Sequence, residues 1–235
     1  MSFHQKRLSS SKVLSIPKKK HKWVTRSNPG PHAKDMSLPL LIAVRDNLGL
    51  CDTGREARRI IGNREIVVDM TPTRDFKRPL GLMDTVSIPK AKQWYRVLLD
   101  RKGRLQMVPI DEVDAAWKLV RIENKVTIKG GKAQLNLHDG RNILMDKDEY
   151  KTGDVLKIEL PTQKILSHYP MEKGAPAMVI SGSHTGGMSA VEMRVPTRGS
   201  SEDLIKFADG FSTVKSNVFV VGSERAEVTV PEVSI

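Results

Sequence analysis

The stretch TGREARRIIGNREIVVD, residues 53–69, holds a helix start, a helix stop and a strand in quick succession. Thr53 and Glu56 stand in the T-x-x-E spacing of a capping box, where each side chain accepts a hydrogen bond from the other residue's backbone amide. They predict a helix from Thr53 that Gly62 ends after less than three turns. On a wheel of about 3.6 residues per turn, Ala57, Ile60 and Ile61 share one side, while Arg55, Arg58 and Arg59 span about 100° on the other. The cap already occupies Glu56, so one face packs and the other is a patch of guanidinium groups. Ordinary exposed helix faces mix both signs of charge. An all-arginine face is read as a nucleic-acid contact, because the guanidinium fork suits bidentate phosphate binding.

Beyond Gly62 the period changes, and residues 65–69 (EIVVD) read as a short strand. A second strand is expected over Asp84–Ile88, closed by Pro89, and the loop between them carries Arg74, Lys77 and Arg78 as further phosphate contacts. Upstream, Ser37 is expected to cap a helix with Leu40, Leu41, Val44 and Leu48 at helical spacing, Pro39 in its first turn and Gly49 as its stop. Two helices and a small sheet thus make one unit.

The first 34 residues hold nine lysines and arginines and no acid, which is nine of the chain's net charge of +12. A secretory signal would need an apolar stretch after the charges, and only SSSKVLSIP follows. A transit peptide would favour arginine, whereas lysines lead seven to two. A solubilising tail has no use for Trp23 or for the stiff turn from Asn28 to His32. The remaining reading is an arm along a polyphosphate, with nucleic acid as the carrier and no internal acid to compete. Its contacts are expected at His4, Lys6, Arg7, Lys18, Lys19, Lys20, Lys22, Arg26 and His32, with Trp23 stacking on an unpaired base or a sugar. So few apolar residues lie in the arm that it is expected to stay outside the core and to order only when bound.

The rest of the chain is rich in strands. Residues 95–99 and 104–108 flank the turn Asp100–Gly103, and residues 111–122 suggest a short helix with Val113, Trp117 and Val120 inward. Strands follow at 125–128, 133–137, 142–145 and 155–160. A Gly-rich segment, KGAPAMVISGSHTGGMSAVEMRV, and a final strand pair near 211–213 and 217–222 are expected to close a small barrel. The fold class is α+β and multidomain: a basic arm over 1–36, a two-helix domain with a small sheet over 37–90, a central β-rich domain over 91–170 and a small barrel over 171–235.

Several chemistries are excluded by spacing. One cysteine forbids an intrachain disulfide and, with six scattered histidines, supplies no zinc-finger pattern. Cys51 is expected to pack between the first helices, and the chain to work in a reducing, cytoplasmic setting. The longest apolar run, LPLLIAV, has seven residues where a membrane span needs about 20. Around His184, Gly182-Ser183-His184-Thr185-Gly186 has its serine one position too early for a nucleophile elbow, and no Gly-Lys-Ser/Thr follows for a phosphate loop. His184 is read as a loop residue facing RNA or solvent, and His138-Asp139 as a turn. No catalytic group, metal, cofactor or small-molecule substrate is expected.

Three stretches carry a resemblance. His4-Gln5-Lys6-Arg7-Leu8, Pro29-Gly30-Pro31-His32 and residues 37–41 (SLPLL) resemble the N-terminal signature of the small-subunit ribosomal protein four of archaea and eukaryotes. Residues 53–69 with LGLMDTVSI resemble the alpha-L RNA-binding domain, and KGAPAMVISGSHTGGMSAVE resembles the KOW motif. The family's common Gly-Lys after Val-Asp is replaced here by Met70-Thr71, and a late glycine of the KOW loop by Ser189. The resemblance implies a structural component of the small ribosomal subunit, with ribosomal RNA and neighbouring ribosomal proteins as partners, and RNA contacts at Arg55, Arg58, Arg59 and Arg74. A free RNA-binding or transcription-associated factor, and an RNA-modifying enzyme targeted by an alpha-L domain, are the alternatives.

Overall fold

The computed structural model describes residues 4–146 and 149–228. The extreme ends of the expected arm and barrel, residues 1–3 and 229–235, lie outside the described residues. The chain forms two compact units, the first made of Met1–Leu98, Arg104–Lys118 and Leu160–Thr162, the second of the remainder.

In the first unit the helix Gly54–Gly62 forms as expected, with both halves of the capping box closed at 3.3 Å. Ala57 and Ile61 are fully buried, and Arg55, Arg58 and Arg59 are exposed. The helix before it departs from expectation. Leu38–Pro39 is a strand paired with Pro79–Leu80, so the helix starts at Leu40 and Ser37 turns back to the Lys34 carbonyl. Its first amides, on Leu40 and Leu41, donate to the carbonyls of Arg78 and Phe76 at 2.9 Å, so tertiary partners replace the side-chain cap. The turn then widens to π geometry over Ala43–Asn47 before Gly49, at φ +63°, ends it. Cys51 lies beyond this point, half-buried, and burial pushes its thiol pKa up.

The strand Val67–Val68 turns into Thr71–Pro72 through Asp69 and Met70, both left-handed at φ 49° and 59°. Two consecutive left-handed residues are the two-residue hairpin geometry that normally selects glycine, and Met70 adopts it where the resemblance implies a glycine. Met70→Gly is therefore expected to raise stability by about 0.5–1 kcal/mol, read as a higher urea midpoint.

That turn presents Asp69 to the interior. Lys118 is fully buried, and its ammonium donates to Asp69 Oδ2 at 3.0 Å and Asp84 Oδ1 at 2.5 Å. His32 Nε2 lies 2.9 Å from the same Asp84 oxygen, and the Gly81 amide donates to Oδ2 at 2.9 Å. Burial alone would raise the pKa of Asp84; Lys118 and His32 overcome it and hold the carboxyl far below the usual range. Lys118 reaches this position because the expected helix over 111–122 is cut short. Only Glu112–Ala115 is helical, and Trp117–Thr127 is a strand of eleven residues. Trp117 and Val120 are buried in it, whereas Val113 is 78% exposed. The Arg96 guanidinium packs 4.0 Å from the Trp117 ring and donates to the carbonyls of Asp114 and Trp117.

The basic segment does not stand apart from this unit. Val13, Leu14 and Ile16 are buried, Gln5–Lys6 pairs antiparallel with Trp23–Val24, and the Leu105 amide donates to the Val13 carbonyl at 3.0 Å. Three apolar residues suffice because the body supplies the rest of the pocket. Val13→Ala is expected to cost about 2 kcal/mol in chemical denaturation, where a free arm would show no change.

The second unit contains two five-stranded sheets. One runs in the order 142–145, 133–137, 117–127, 155–159, 165–169, over a core of Val120, Ile122, Leu135, Leu137, Leu156 and Ile158. The strands at 133–137 and 142–145 match expectation, the one at 125–128 is the end of the long strand, and Ile165–Tyr169 was not anticipated. His138-Asp139 does lie in a turn, whose Arg141 amide donates to Asp139 Oδ1 at 3.2 Å. The other sheet runs 212–214, 204–207, 188–195, 176–179, 218–220. The anticipated final pair is therefore split between opposite edges. Ser212–Val214 pairs with Leu204–Phe207, a strand the sequence did not announce, and Val218–Val220 pairs with Pro176–Val179. Ser189 sits inside a strand opposite Ala177, where no glycine is needed.

Candidate RNA interface

Cations expected on a phosphate-binding surface separate into three groups once their surroundings are known. The first is the helix Gly54–Gly62 with the loop that follows the hairpin. Arg58 lies over the Phe76 ring at 4.9 Å, and Lys77 Nζ is 5.7 Å from the same ring. The half-buried phenyl ring thus gathers a helix cation and a loop cation around itself, each contact worth about 0.5–1 kcal/mol near the surface. Arg55, Arg59 and Arg74 are exposed, while Lys77 and Arg78 are half-buried with their backbones engaged: the Lys77 amide donates to Asp75 Oδ1, and both carbonyls accept hydrogen bonds. The Thr53 and Asp52 groups that hydrogen-bond Glu56 lower its pKa, so the only acid of the helix stays ionised at the N-terminus and away from the arginine face.

A second group is the paired segment 5–6 with 23–24. His4, Lys6, Lys19, Lys20 and Lys22 are exposed there, and Trp23 is 50% exposed with the Lys22 ammonium 5.2 Å from its ring and the His4 ring 5.6 Å away. Lys18 is half-buried and donates to the Ser10 carbonyl at 2.9 Å; Arg26 is half-buried as well. The end of the segment is tied to the arginine loop, since the Asn28 amide donates to the Lys77 carbonyl at 3.0 Å and its side chain to Asp75 at 2.9 Å.

The third group faces inward and corrects the sequence reading. Arg7 is 3% exposed and donates to the Pro17 carbonyl at 2.9 Å, so it braces the segment rather than meeting a ligand. His32 has a side chain only 6% exposed beside Asp84, and a Cβ on Gly81 would collide with its ring at 2.2 Å. Both belong to the acid-free N-terminal segment that reads as an RNA contact, but their neighbours in space are a carbonyl and a buried carboxylate. In the second unit, His184 is exposed on the loop between Pro176–Val179 and Met188–Val195. What local reading missed at this surface is Phe76, whose role depends on the return of the loop beneath the helix.

No group of three or more metal-ligating side chains occurs among the described residues, and no helix among them is long and apolar enough to cross a membrane. A family model described as Ribosomal family S4e matches residues 91–165, and one described as the RS4NT (NUC023) domain matches residues 1–35. The small ribosomal subunit protein eS4 of Methanothermobacter thermautotrophicus is 46% identical over 232 residues, which span 97% of this chain and 96% of that protein. The chain belongs to the S4e family of ribosomal proteins. The small ribosomal subunit protein eS4 of Archaeoglobus fulgidus is 42% identical over the full length of both chains. Among solved structures, the crystal structure of the 30S ribosomal protein S4e from Thermoplasma acidophilum superposes with a TM-score of 0.73 at 36% identity, covering 81% of this chain and 97% of that one. The S4e member described here shares that β-rich, multi-sheet fold with few helices.

Proposed function

We propose that this chain is a structural constituent of the small ribosomal subunit that binds ribosomal RNA through phosphate and shape contacts and performs no chemistry. The observation that carries the RNA part is the all-cationic face of Arg55, Arg58 and Arg59, exposed beside a loop that adds Arg74 and the Phe76-bound Lys77. Its relatives, named as small ribosomal subunit proteins over nearly the full length, support the particle. In this reading residues 37–90 act as an alpha-L module and residues 171–235 as a KOW-type barrel, with the N-terminal segment docked on the first unit and offering its lysines and Trp23 outward. Ribosomal RNA and neighbouring small-subunit proteins are its partners, in the cytoplasm.

Sedimentation of a gently lysed extract tests this. The chain is expected to comigrate with the small subunit and to stay there in moderate salt. Confinement to light fractions, or comigration with RNA polymerase, would overturn the assignment in favour of a free factor or a modifying enzyme.

A further inference from the structure

Three aromatic rings in the second unit form a column from the core to the surface. Phe207 is fully buried, Phe211 is half-buried and His184 is exposed. Phe207 and Phe211 stack with centroids 4.7 Å apart at 19°, and Phe211 and His184 at 4.4 Å and 22°. Near-parallel rings at this spacing leave the outer imidazole face as the next position in the column.

The loop holding His184 is set before any ligand arrives. The Gly187 amide donates to the His184 carbonyl at 3.1 Å, the Gly186 amide to the Val179 carbonyl at 2.8 Å, and the Thr185 hydroxyl to the Gly182 carbonyl at 2.6 Å. Gly186, at φ +78°, lies so close to the turn after residue 99 that a Cβ there would meet the Asp100 carbonyl oxygen at 2.4 Å and Arg101 Cα at 2.6 Å. This contact sets the backbone of the turn that carries the exposed Arg101 and Lys102 against the same loop.

We propose that His184, backed by Phe211 and Phe207, is a stacking platform for one unpaired nucleobase, with Arg101 and Lys102 at the adjoining phosphates. The proposal rests on the RNA-binding reading and adds a base-contacting site to it. A stacked aromatic face with adjacent cations matches single-stranded RNA, whose bases all present a π face, and a preset loop avoids the cost of ordering the ring on binding.

The test uses the full chain and a short oligouridine with one central 2-aminopurine, whose fluorescence falls on stacking. Binding is expected to quench the probe. His184→Ala should abolish most of the quenching and weaken binding about 5- to 100-fold without changing its salt slope, whereas His184→Phe should stay within about twofold of the parent. Replacement of Arg101 and Lys102 by alanine should do the reverse, lowering the slope and sparing the quench at saturation. Unchanged quenching and affinity in His184→Ala, or no binding of the oligouridine by the parent chain, would overturn the platform. The broader reading fails separately, through absence of the chain from the small-subunit peak.

Discussion

Lys118→Met is expected to cost about 3–5 kcal/mol at neutral pH, because it leaves Asp69 and Asp84 buried side by side with no ammonium between them. Methionine fills nearly the same volume, so the loss is one of charge compensation rather than packing. The pH dependence separates the two. In the parent, the depressed pKa of Asp84 contributes stability that is fully present above the unfolded value near about 4 and is lost as pH falls below it. In the variant, burial is opposed by His32 alone, and the Asp84 carboxyl moves up from its parent value. The variant's penalty is therefore largest at neutral pH and shrinks as acid protonates Asp84. Urea unfolding of both proteins between neutral pH and pH about 4 should show the gap closing; a constant gap would mean that Lys118 acts through shape alone. Adding Asp69→Asn and Asp84→Asn to the variant should restore most of the loss at neutral pH, since amides carry no charge to strand.

Replacing Arg55, Arg58 and Arg59 together by alanine is the second large effect. Each phosphate contact contributes about 0.9 to the slope of log affinity against log salt on duplex, so three contacts account for about 10²-fold or more of affinity at 0.1 M salt relative to 1 M. Filter binding to a small-subunit RNA fragment over a salt series should show the slope fall by about 1 per lost contact. Stability should fall by no more than about 0.5–1 kcal/mol, the Arg58–Phe76 contact, because all three side chains are exposed and Ala57 and Ile61 hold the other face. Alanine is also the best helix former. An unchanged slope would remove the helix from the interface.

The contrast between these two sites explains how much was legible beforehand. The arginine face follows from residues three and four apart on one helix with a local cap, so the sequence states it almost completely. The strands at 133–137 and 142–145 were legible for the same reason, a short alternation bounded by glycine turns. Lys118 was not, since its carboxylate partners lie 34 and 49 positions away and its own surroundings read as a helix. Arg7 and His32 read as RNA contacts because they lie in the acid-free N-terminal segment, although His32 meets Asp84 across 52 positions. The aromatic column escaped notice because His184 and Phe211 come from separate turns. Local chemistry predicts what a segment offers; which side chains are then taken inward depends on partners that arrive from elsewhere in the chain.

The composition of the first unit has a temporal consequence. It takes in Leu160–Thr162, and the Leu160 amide donates to the Ala116 carbonyl at 2.8 Å, while the intervening residues 119–159 belong to the second unit. A nascent chain that has emerged only through Lys118 has every member of the buried charge cluster but not this last segment. Native completion of the first unit then waits for most of the first sheet of the second to be synthesised. The two units are interleaved in synthesis, and neither can be cut out at a single junction as an independent gene fragment.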